Sequence, residues 1–204
     1  TWVRSCRSGC LGNYFSLLST VAPEQSMQWY LSNVFSEKGH ANENLARELC
    51  ELFALGTKHP VTGQPNYTED DIKEIARALT GYDYDWDRDK AFFNPFNWDP
   101  GSKTIFGVNR GAAKFPEVLA AIKAHPSFGY FVPKRIYREL MGFEPSTQAL
   151  EDMHAAWGSE GDIPAAPARP VLVDLGNLDP ADVTPRTATL AGGRFATENF
   201  RRAL

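Results

Sequence analysis

The segment from residue 42 to residue 56 carries the densest set of side chains that could do chemistry. Glu43, Arg47 and Glu51 lie at i, i+4 spacing, so on a helix one guanidinium could reach a carboxylate on each neighbouring turn. Glu48 lies beside them. Two interpretations are open. Either the cluster is a solvated face stabilised by ion pairs, or it faces a cleft in which the carboxylates act as acid, base or metal ligands.

A capped amphipathic helix is predicted to hold these side chains. Its apolar stripe consists of Leu45, Ala46, Leu49, Leu52 and Phe53. Asn42 is expected to cap the first turn, and Gly56 is the residue type that most easily turns left-handed after a last turn. We expect Arg47 to be buried between Glu43 and Glu51, in which case its removal would cost more than about 1 kcal/mol.

Helical periodicity dominates the chain and predicts a mainly α fold. Further helices are predicted over residues 11–21, after Pro23, from Thr68 to Thr80, and over residues 115–124, 126–141 and 147–157. Pro133 is expected to kink or split its helix. One small β-hairpin insertion is predicted at about residues 82–108, where aromatic and acidic residues alternate. The core is predicted to contain Leu45, Leu49, Leu52, Phe53, Ile72, Ile75 and Leu79.

Composition divides the chain into a helical domain, residues 1–160, and a Pro/Ala-rich tail, residues 161–204, that we expect to be loosely packed or disordered. The net charge of -4 gives no basic footprint for nucleic acid, and no apolar run is long enough for a membrane span. The three cysteines show no zinc spacing, so neither a metal nor a cofactor is predicted. The chain begins with Thr1 and shows no signal peptide, which indicates a fragment or a processed form.

Linked motifs across about residues 11–160 resemble the signature of domain-of-unknown-function family 1800. They are Asn42-Glu43-Asn44-Leu45-Ala46-Arg47-Glu48-Leu49, Tyr67-Thr68-Glu69-Asp70-Asp71, Ala76-Arg77-Ala78-Leu79-Thr80-Gly81, Asp99 with Gly101, Lys103-Thr104 and Gly107, and His125-Pro126 with Lys134-Arg135-Ile136. The resemblance implies a mostly helical, exported bacterial protein, hence secreted or periplasmic, of which residues 1–160 are an incomplete copy of the domain. It also implies a partner, because the family is often encoded beside a sulfatase-like protein. Trp98 departs from the pattern, which has a His there, and Trp can neither titrate nor bind a metal.

Two classes of function fit the sequence. The first is a binding or assembly domain whose partner is the neighbouring sulfatase-like protein. The second is a hydrolase-like enzyme with Glu48, Glu51 and Arg47 as candidate catalytic residues. Candidate binding residues in either class are Asn42, Glu43, Asn44, Arg77, Asp99 and Lys103. An enzyme should gather the polar face of the central helix, Arg77 and Lys103 in one concave pocket, whereas a binding domain should expose an apolar patch.

Overall fold

A computed structural model describes residues 2–10, 12–85, 87–88 and 90–158, and this part of the chain is mainly α-helical, as predicted. The helices are α1 (Trp2–Gly9), α2 (Tyr14–Val21), α3 (Gln25–Tyr30), α4 (Asn44–Glu48), α5 (Glu69–Ala78), α6 (Phe115–Lys123), α7 (Phe128–Met141) and α8 (Thr147–Trp157). A short 3₁₀ turn spans Asn33–Phe35. The predicted tail, residues 161–204, lies outside the described residues.

Two small antiparallel hairpins stand where the sequence predicts one. β1 (Tyr82–Asp85) pairs with β2 (Lys90–Phe93), and β3 (Thr104–Ile105) pairs with β4 (Val108–Asn109). The first hairpin contains the alternating aromatic and acidic residues. The second has strands of two residues, which are too short to show a period-2 pattern, and it turns through Phe106 and Gly107, both at positive φ.

The central helical segment changes geometry halfway along. α4 runs directly into a π-helix, Leu49–Ala54, and the amides of Leu55 and Gly56 both donate to the carbonyl of Cys50. A π-turn holds more residues than an α-turn, so it rotates the side chains that follow it. Leu52 is consequently 47% exposed, and its predicted place in the core was wrong. Gly56 ends the segment in the predicted left-handed conformation, at φ +73°.

The core forms where α4 packs on α5, and α6 packs on α5 and α2. Leu45, Leu49 and Ile75 are fully buried, as predicted, and Phe53 is half-buried. The rest of this cluster includes Ile72, Leu79, Val118, Ile122 and Trp157. A second, smaller cluster joins α7 to α8 through Tyr130, Tyr137, Met141, Leu150 and Met153. α7 continues through Pro133 as one helix of 14 residues, so the predicted split does not occur.

Polar contacts at the start of α5 fix its position. The Thr68 hydroxyl accepts from the Asp71 amide at 3.1 Å, and Asp71 Oδ2 accepts from the Thr68 amide at 2.8 Å. This reciprocal cap satisfies two backbone donors that a helix leaves free. Asp71 Oδ1 also accepts from the Phe106 amide at 2.6 Å, which attaches the turn of the second hairpin to the first turn of α5.

The change of helix type predicts opposite outcomes for two leucines in one segment. Leu49→Ala should lower the free energy of unfolding by about 2–5 kcal/mol, because it leaves a cavity at a fully buried position. Leu52→Ala should change it by less than about 0.5 kcal/mol, because the side chain already contacts solvent. Urea unfolding curves measure both. Equal losses for the two variants would place Leu52 in the core.

Candidate functional site

Arg47 lies at the surface and forms a two-pronged ion pair with Glu69 at the start of α5. Its Nη1 and Nη2 atoms are 2.9 Å and 2.8 Å from the Glu69 carboxylate oxygens, and Nη2 is 3.1 Å from Glu43. The predicted contact with Glu43 is confirmed. The side chains of Arg47 and Glu69 are 34% and 66% exposed, so the expectation of an Arg47 buried between Glu43 and Glu51 was wrong. Hydrogen bonding to Glu69 further raises the pKa of Arg47.

Glu51 lies in the π-helix and contacts a residue other than Arg47. Its carboxylate accepts from the Tyr67 hydroxyl at 3.2 Å. Burial, together with the charge of Glu51, raises the pKa of Tyr67, which keeps that hydroxyl a donor. Glu48 is half-buried, and its Oε2 atom has no hydrogen-bond partner among the described residues. Arg47 and Glu51 therefore have different partners, and the catalytic role of Glu48, Glu51 and Arg47 stays a prediction.

Asn42 orders the turn that leads into α4. Its Oδ1 atom accepts from the Asn44 amide at 2.9 Å, and its own amide donates to the Ser36 hydroxyl at 2.9 Å. Asn42 was predicted to cap the helix, but the cap position before α4 is taken by Glu43, whose side chain makes no capping bond, and Asn42 bonds to the first helical amide from one residue further out. Asn44 is exposed. A binding role for these three residues stays a prediction.

Arg77 and Asp99 form the second polar cluster, on the C-terminal half of α5. Arg77 Nε and Nη2 donate to the two Asp99 oxygens at 2.8 Å and 3.3 Å, and Nη1 donates to Glu74 at 2.7 Å. Asp99 Oδ1 also accepts from the Gly101 amide at 2.7 Å. Hydrogen bonding to Arg77 lowers the pKa of Asp99, so the carboxylate stays charged well into acid. This cluster fastens the turn before β3 to α5.

Lys103 is fully buried beside this cluster. Its ammonium donates to the Asp99 carbonyl and lies 4.9 Å from the centroid of the Trp98 ring. Burial lowers the pKa of Lys103, and the nearby Asp99 carboxylate opposes that shift. Lys114 lies 4.5 Å from the same ring. Trp98, which replaces the His of the family pattern, therefore packs between two cations, an arrangement that the ring quadrupole stabilises.

Gly81 allows the backbone to pass close to Trp98. Its φ of +85° is a left-handed conformation, and a Cβ atom at residue 81 would lie 2.8 Å from Trp98 Cβ and 2.9 Å from the Asn94 carbonyl oxygen. Any larger residue would be strained and would collide with Trp98. The glycine at position 81 of the signature is therefore required for steric reasons.

The two polar clusters lie at different places along α5 rather than in one pocket. The first meets the helix at Glu69 and the second at Arg77, which are roughly 12 Å apart along the helix axis. Neither cluster lines the apolar groove at α1–α3 or the cation-rich groove on α7. Within that part, no group of three or more His, Cys, Asp or Glu side chains could hold a metal ion.

The two grooves are surfaces that the sequence did not indicate. One, of about 540 Å³, is lined almost wholly by apolar side chains of α1, α2 and α3. The other, of about 380 Å³, lies between the loop after Gly56 and one face of α7, and it is rich in cations. The sequence did contain a signal for the cation-rich groove, because Lys134, Arg135 and Arg138 lie within about one turn of a predicted helix.

The fold and the polar clusters define a mainly helical domain whose signature residues form ion pairs with one another. The chain belongs to the family described as "Protein of unknown function (DUF1800)", whose sequence model matches residues 3–172. This confirms the resemblance seen in the sequence and extends it past residue 160.

Other comparisons add little about function. A stretch of 40 residues, 20% of this chain, is 68% identical to the "Putative 4-hydroxythreonine-4-phosphate dehydrogenase 2" of Rhizobium meliloti (strain 1021) and covers 12% of that protein. The chain thus spans about an eighth of that relative, and the dehydrogenase activity in the name belongs to that protein. No solved structure matches the chain. Among the described residues, no helix is both long and apolar enough to cross a bilayer.

The two arginine clusters should differ in their contribution to stability. Arg77→Ala should lower the free energy of unfolding by about 1–3 kcal/mol, because it leaves the half-buried carboxylates of Asp99 and Glu74 without their charged partner. Arg47→Ala should cost less, because solvent screens its exposed pair with Glu69. Urea unfolding at neutral pH measures both losses. A larger loss for Arg47→Ala than for Arg77→Ala would contradict this assignment.

The cost of Arg77→Ala should also depend on pH. The pKa of Asp99 is lower in the folded chain than in the unfolded chain, so its contribution to stability is complete above its unfolded pKa and is lost as pH falls through its folded pKa. The difference between wild type and Arg77→Ala should therefore be full at about pH 7 and shrink below about pH 4. Urea melts across this range measure it, and a difference that stays constant down to acid would exclude Asp99 as the partner.

Proposed function

We propose that this domain is a binding or assembly domain that recognises a protein partner through the apolar groove formed by α1, α2 and α3. The groove itself is the observation that carries the proposal. Its walls are Tyr14, Leu17, Leu18, Val21, Ala22, Met27, Tyr30 and Phe53, with Cys6 and Ser26 as the other lining residues. Its volume of about 540 Å³ lies within the range of sites that bury a ligand or an anchoring side chain.

The walls of the groove leave few polar groups open to a ligand. The Tyr14 hydroxyl, its main polar candidate, donates to the Phe53 carbonyl and is therefore occupied. Burial raises the pKa of Tyr14, so that hydroxyl does not ionise near neutral pH. A site with so few free donors and acceptors favours an apolar occupant and offers little for acid–base chemistry.

Exposed aromatic side chains also occur at the groove, on α3 and on the 3₁₀ turn that follows it. Tyr30 is 76% exposed at the groove, and the neighbouring Trp29 and Phe35 rings lie 5.7 Å apart at the surface. Contiguous exposed aromatic surface is typical of protein interfaces, where such residues anchor binding. We therefore assign the groove to the aliphatic or aromatic side chains of a protein partner.

The partner and the compartment are proposed from the family. Because the resemblance implies a sulfatase-like protein encoded beside members of the family, that protein is the partner we propose. The exported character that the resemblance implies also supports a secreted or periplasmic location. Cell fractionation of a strain that expresses the full-length gene tests the location, and recovery of the protein in the cytoplasm alone would contradict it.

The groove predicts which substitutions weaken the complex. Tyr30→Ser removes an exposed aromatic side chain from the groove. Ser26→Asp places a negative charge among the apolar walls. Ser26 is exposed in the first turn of α3, where the helix dipole stabilises an acidic residue, so this substitution should not unfold the helix. Each should weaken binding to the purified sulfatase-like protein about tenfold or more. Biolayer interferometry with the immobilised partner measures the affinity.

A matched control comes from a remote aromatic residue. Phe96 is 89% exposed and does not line the groove, so Phe96→Ser should bind like wild type. Absence of binding by wild type would reject the sulfatase-like protein as partner. If Tyr30→Ser and Ser26→Asp also bind like wild type, the groove is not the interface.

One observation favours the second class of function. Glu48 Oε2 is buried and has no hydrogen-bond partner among the described residues, and a carboxylate in that state is a candidate acid or base. A hydrolase that uses Glu48 should cleave a chromogenic aryl ester, and Glu48→Gln should abolish the cleavage. Glu43→Gln is the control, because Glu43 pairs with Arg47 at the surface. Equal rates for both variants would exclude Glu48.

A further inference from the structure

The cation-rich groove has walls from two distant parts of the chain. One wall is the loop Gly56, Thr57, Lys58, His59 and Pro60, and the other is the α7 face with Phe131, Lys134, Arg135 and Arg138. The two walls meet closely at Gly56, where a Cβ atom would lie 2.7 Å from the Phe131 ring. Gly56 also adopts φ +73°, so glycine is needed there both for the backbone and for the contact.

Four cationic side chains line this groove, and none of its lining residues is acidic. The chain as a whole has a formal net charge of -4, so the groove is a local reversal of the overall sign. A cleft lined by one sign of charge concentrates the field and raises the local concentration of oppositely charged ligands. The groove is therefore suited to an anion.

The groove contacts already in place orient the cations without using up their donors. Arg135 Nη1 donates to the Leu52 carbonyl at 3.2 Å, and its guanidinium lies 5.6 Å from the Phe131 ring centroid. A guanidinium has five N–H donors, so this single bond leaves most of them for a ligand. The Leu52 carbonyl belongs to the π-helix, and the change of helix type thus helps to fix Arg135 beside the groove.

Glu144 supplies a carboxylate at one end of the groove. Its two oxygens lie 3.0 Å from Lys134 Nζ and 2.8 Å from Arg138 Nε. These two cations therefore already hold one oxyanion. Lys58, on the opposite wall, is exposed and has no ion pair within the described residues. An incoming anion would meet Lys58 and Arg135 directly and would compete with Glu144 for Lys134 and Arg138.

Neutral donors and an apolar floor complete the groove. His59 Nδ1 accepts the amide protons of Val61 and Thr62 at 3.2 Å and 3.3 Å, so the neutral ring carries its proton on Nε2 and can donate from there. Thr57 adds a hydroxyl, and Phe131 and Pro60 add apolar surface. The groove thus combines guanidinium groups, neutral hydrogen-bond donors and an aromatic ring. This combination is suited to an organic molecule that carries a compact anionic group.

We propose that this groove binds a small organic oxyanion, a phosphate or sulfate ester whose carbon portion lies against Phe131 and Pro60. Arg135 and Arg138 supply guanidinium forks that match the oxygen spacing of a tetrahedral oxyanion, and Lys58 supplies a point charge from the opposite wall. This site shares no residue with the apolar groove assigned to the protein partner, so the two proposals stand or fall separately.

Calorimetric titration of the 204-residue chain at constant ionic strength tests the site. The probes are phenyl phosphate, phenyl sulfate, inorganic phosphate, inorganic sulfate and succinate. Saturable binding of phenyl phosphate or phenyl sulfate is expected, tighter than that of the matching inorganic anion because of the apolar floor, and tighter than that of succinate because of the tetrahedral group. Calorimetry is preferred to thermal shift, since phosphate and sulfate stabilise folded proteins without binding to them.

Substitutions locate the binding. Lys58→Gln should weaken the phenyl ester about fivefold, because it removes one charge and breaks no described ion pair. Glu144→Gln should instead tighten binding, because it removes the competing carboxylate from Lys134 and Arg138. Arg88→Gln is the matched control: it removes the same charge from an exposed arginine in one ion pair, on the first hairpin, and should leave affinity unchanged.

Several outcomes would overturn the proposal. They are the absence of saturable binding by both phenyl esters, equal weakening by Lys58→Gln and Arg88→Gln, and weaker binding after Glu144→Gln. Tighter binding of succinate than of the phenyl esters would assign the groove to carboxylates instead. Binding to vesicles of phosphatidylglycerol without any binding of the phenyl esters would assign it to a lipid surface.

Discussion

The ion pair between Arg77 and Asp99 is the contact on which the arrangement around α5 depends. Arg77 projects from the C-terminal half of α5, and Asp99 opens the turn that leads to β3. Asp99 also receives the Gly101 amide and donates its own amide to the Thr80 hydroxyl, so one short turn is tied to α5 several times. With Asp71 holding the second hairpin at the other end of the helix, polar contacts attach this turn and the second hairpin to α5.

This arrangement explains why the acids and arginines of the signature do not form one pocket. Signature residues on α5 use both ends of the helix, with Glu69 binding Arg47 and Arg77 binding Asp99. Side chains that satisfy one another in this way are poor candidates for binding a substrate. The described part of the chain also has an apolar groove at α1–α3 and a cationic groove on α7, and the π-helix adjoins both through Phe53 and Leu52.

The sequence predicted features that depend on local spacing and missed those that depend on distant contacts. The Thr68 cap, α8 and the left-handed Gly56 follow from neighbouring residues, and all three are present. The exposure of Leu52 was missed because nothing in a helical apolar stripe signals a π-turn. The pairing of Arg47 with Glu69 was missed for a different reason: an i, i+4 rule considers only one helix, whereas two helices meet here. The cationic groove likewise joins segments that are far apart in sequence, and the apolar groove joins three successive helices to the more distant Phe53.

Hydrogen exchange at the turn before β3 tests most directly whether the Arg77–Asp99 ion pair holds that turn on α5. In wild type, the amides of Asp99 and Gly101 donate to Thr80 and to the Asp99 carboxylate that Arg77 holds. Arg77→Gln should accelerate exchange of these two amides while leaving the amides of α7 unchanged, because only the attachment of the turn to α5 is lost. Unchanged exchange at Asp99 and Gly101 would contradict the claim that this ion pair holds the turn in place.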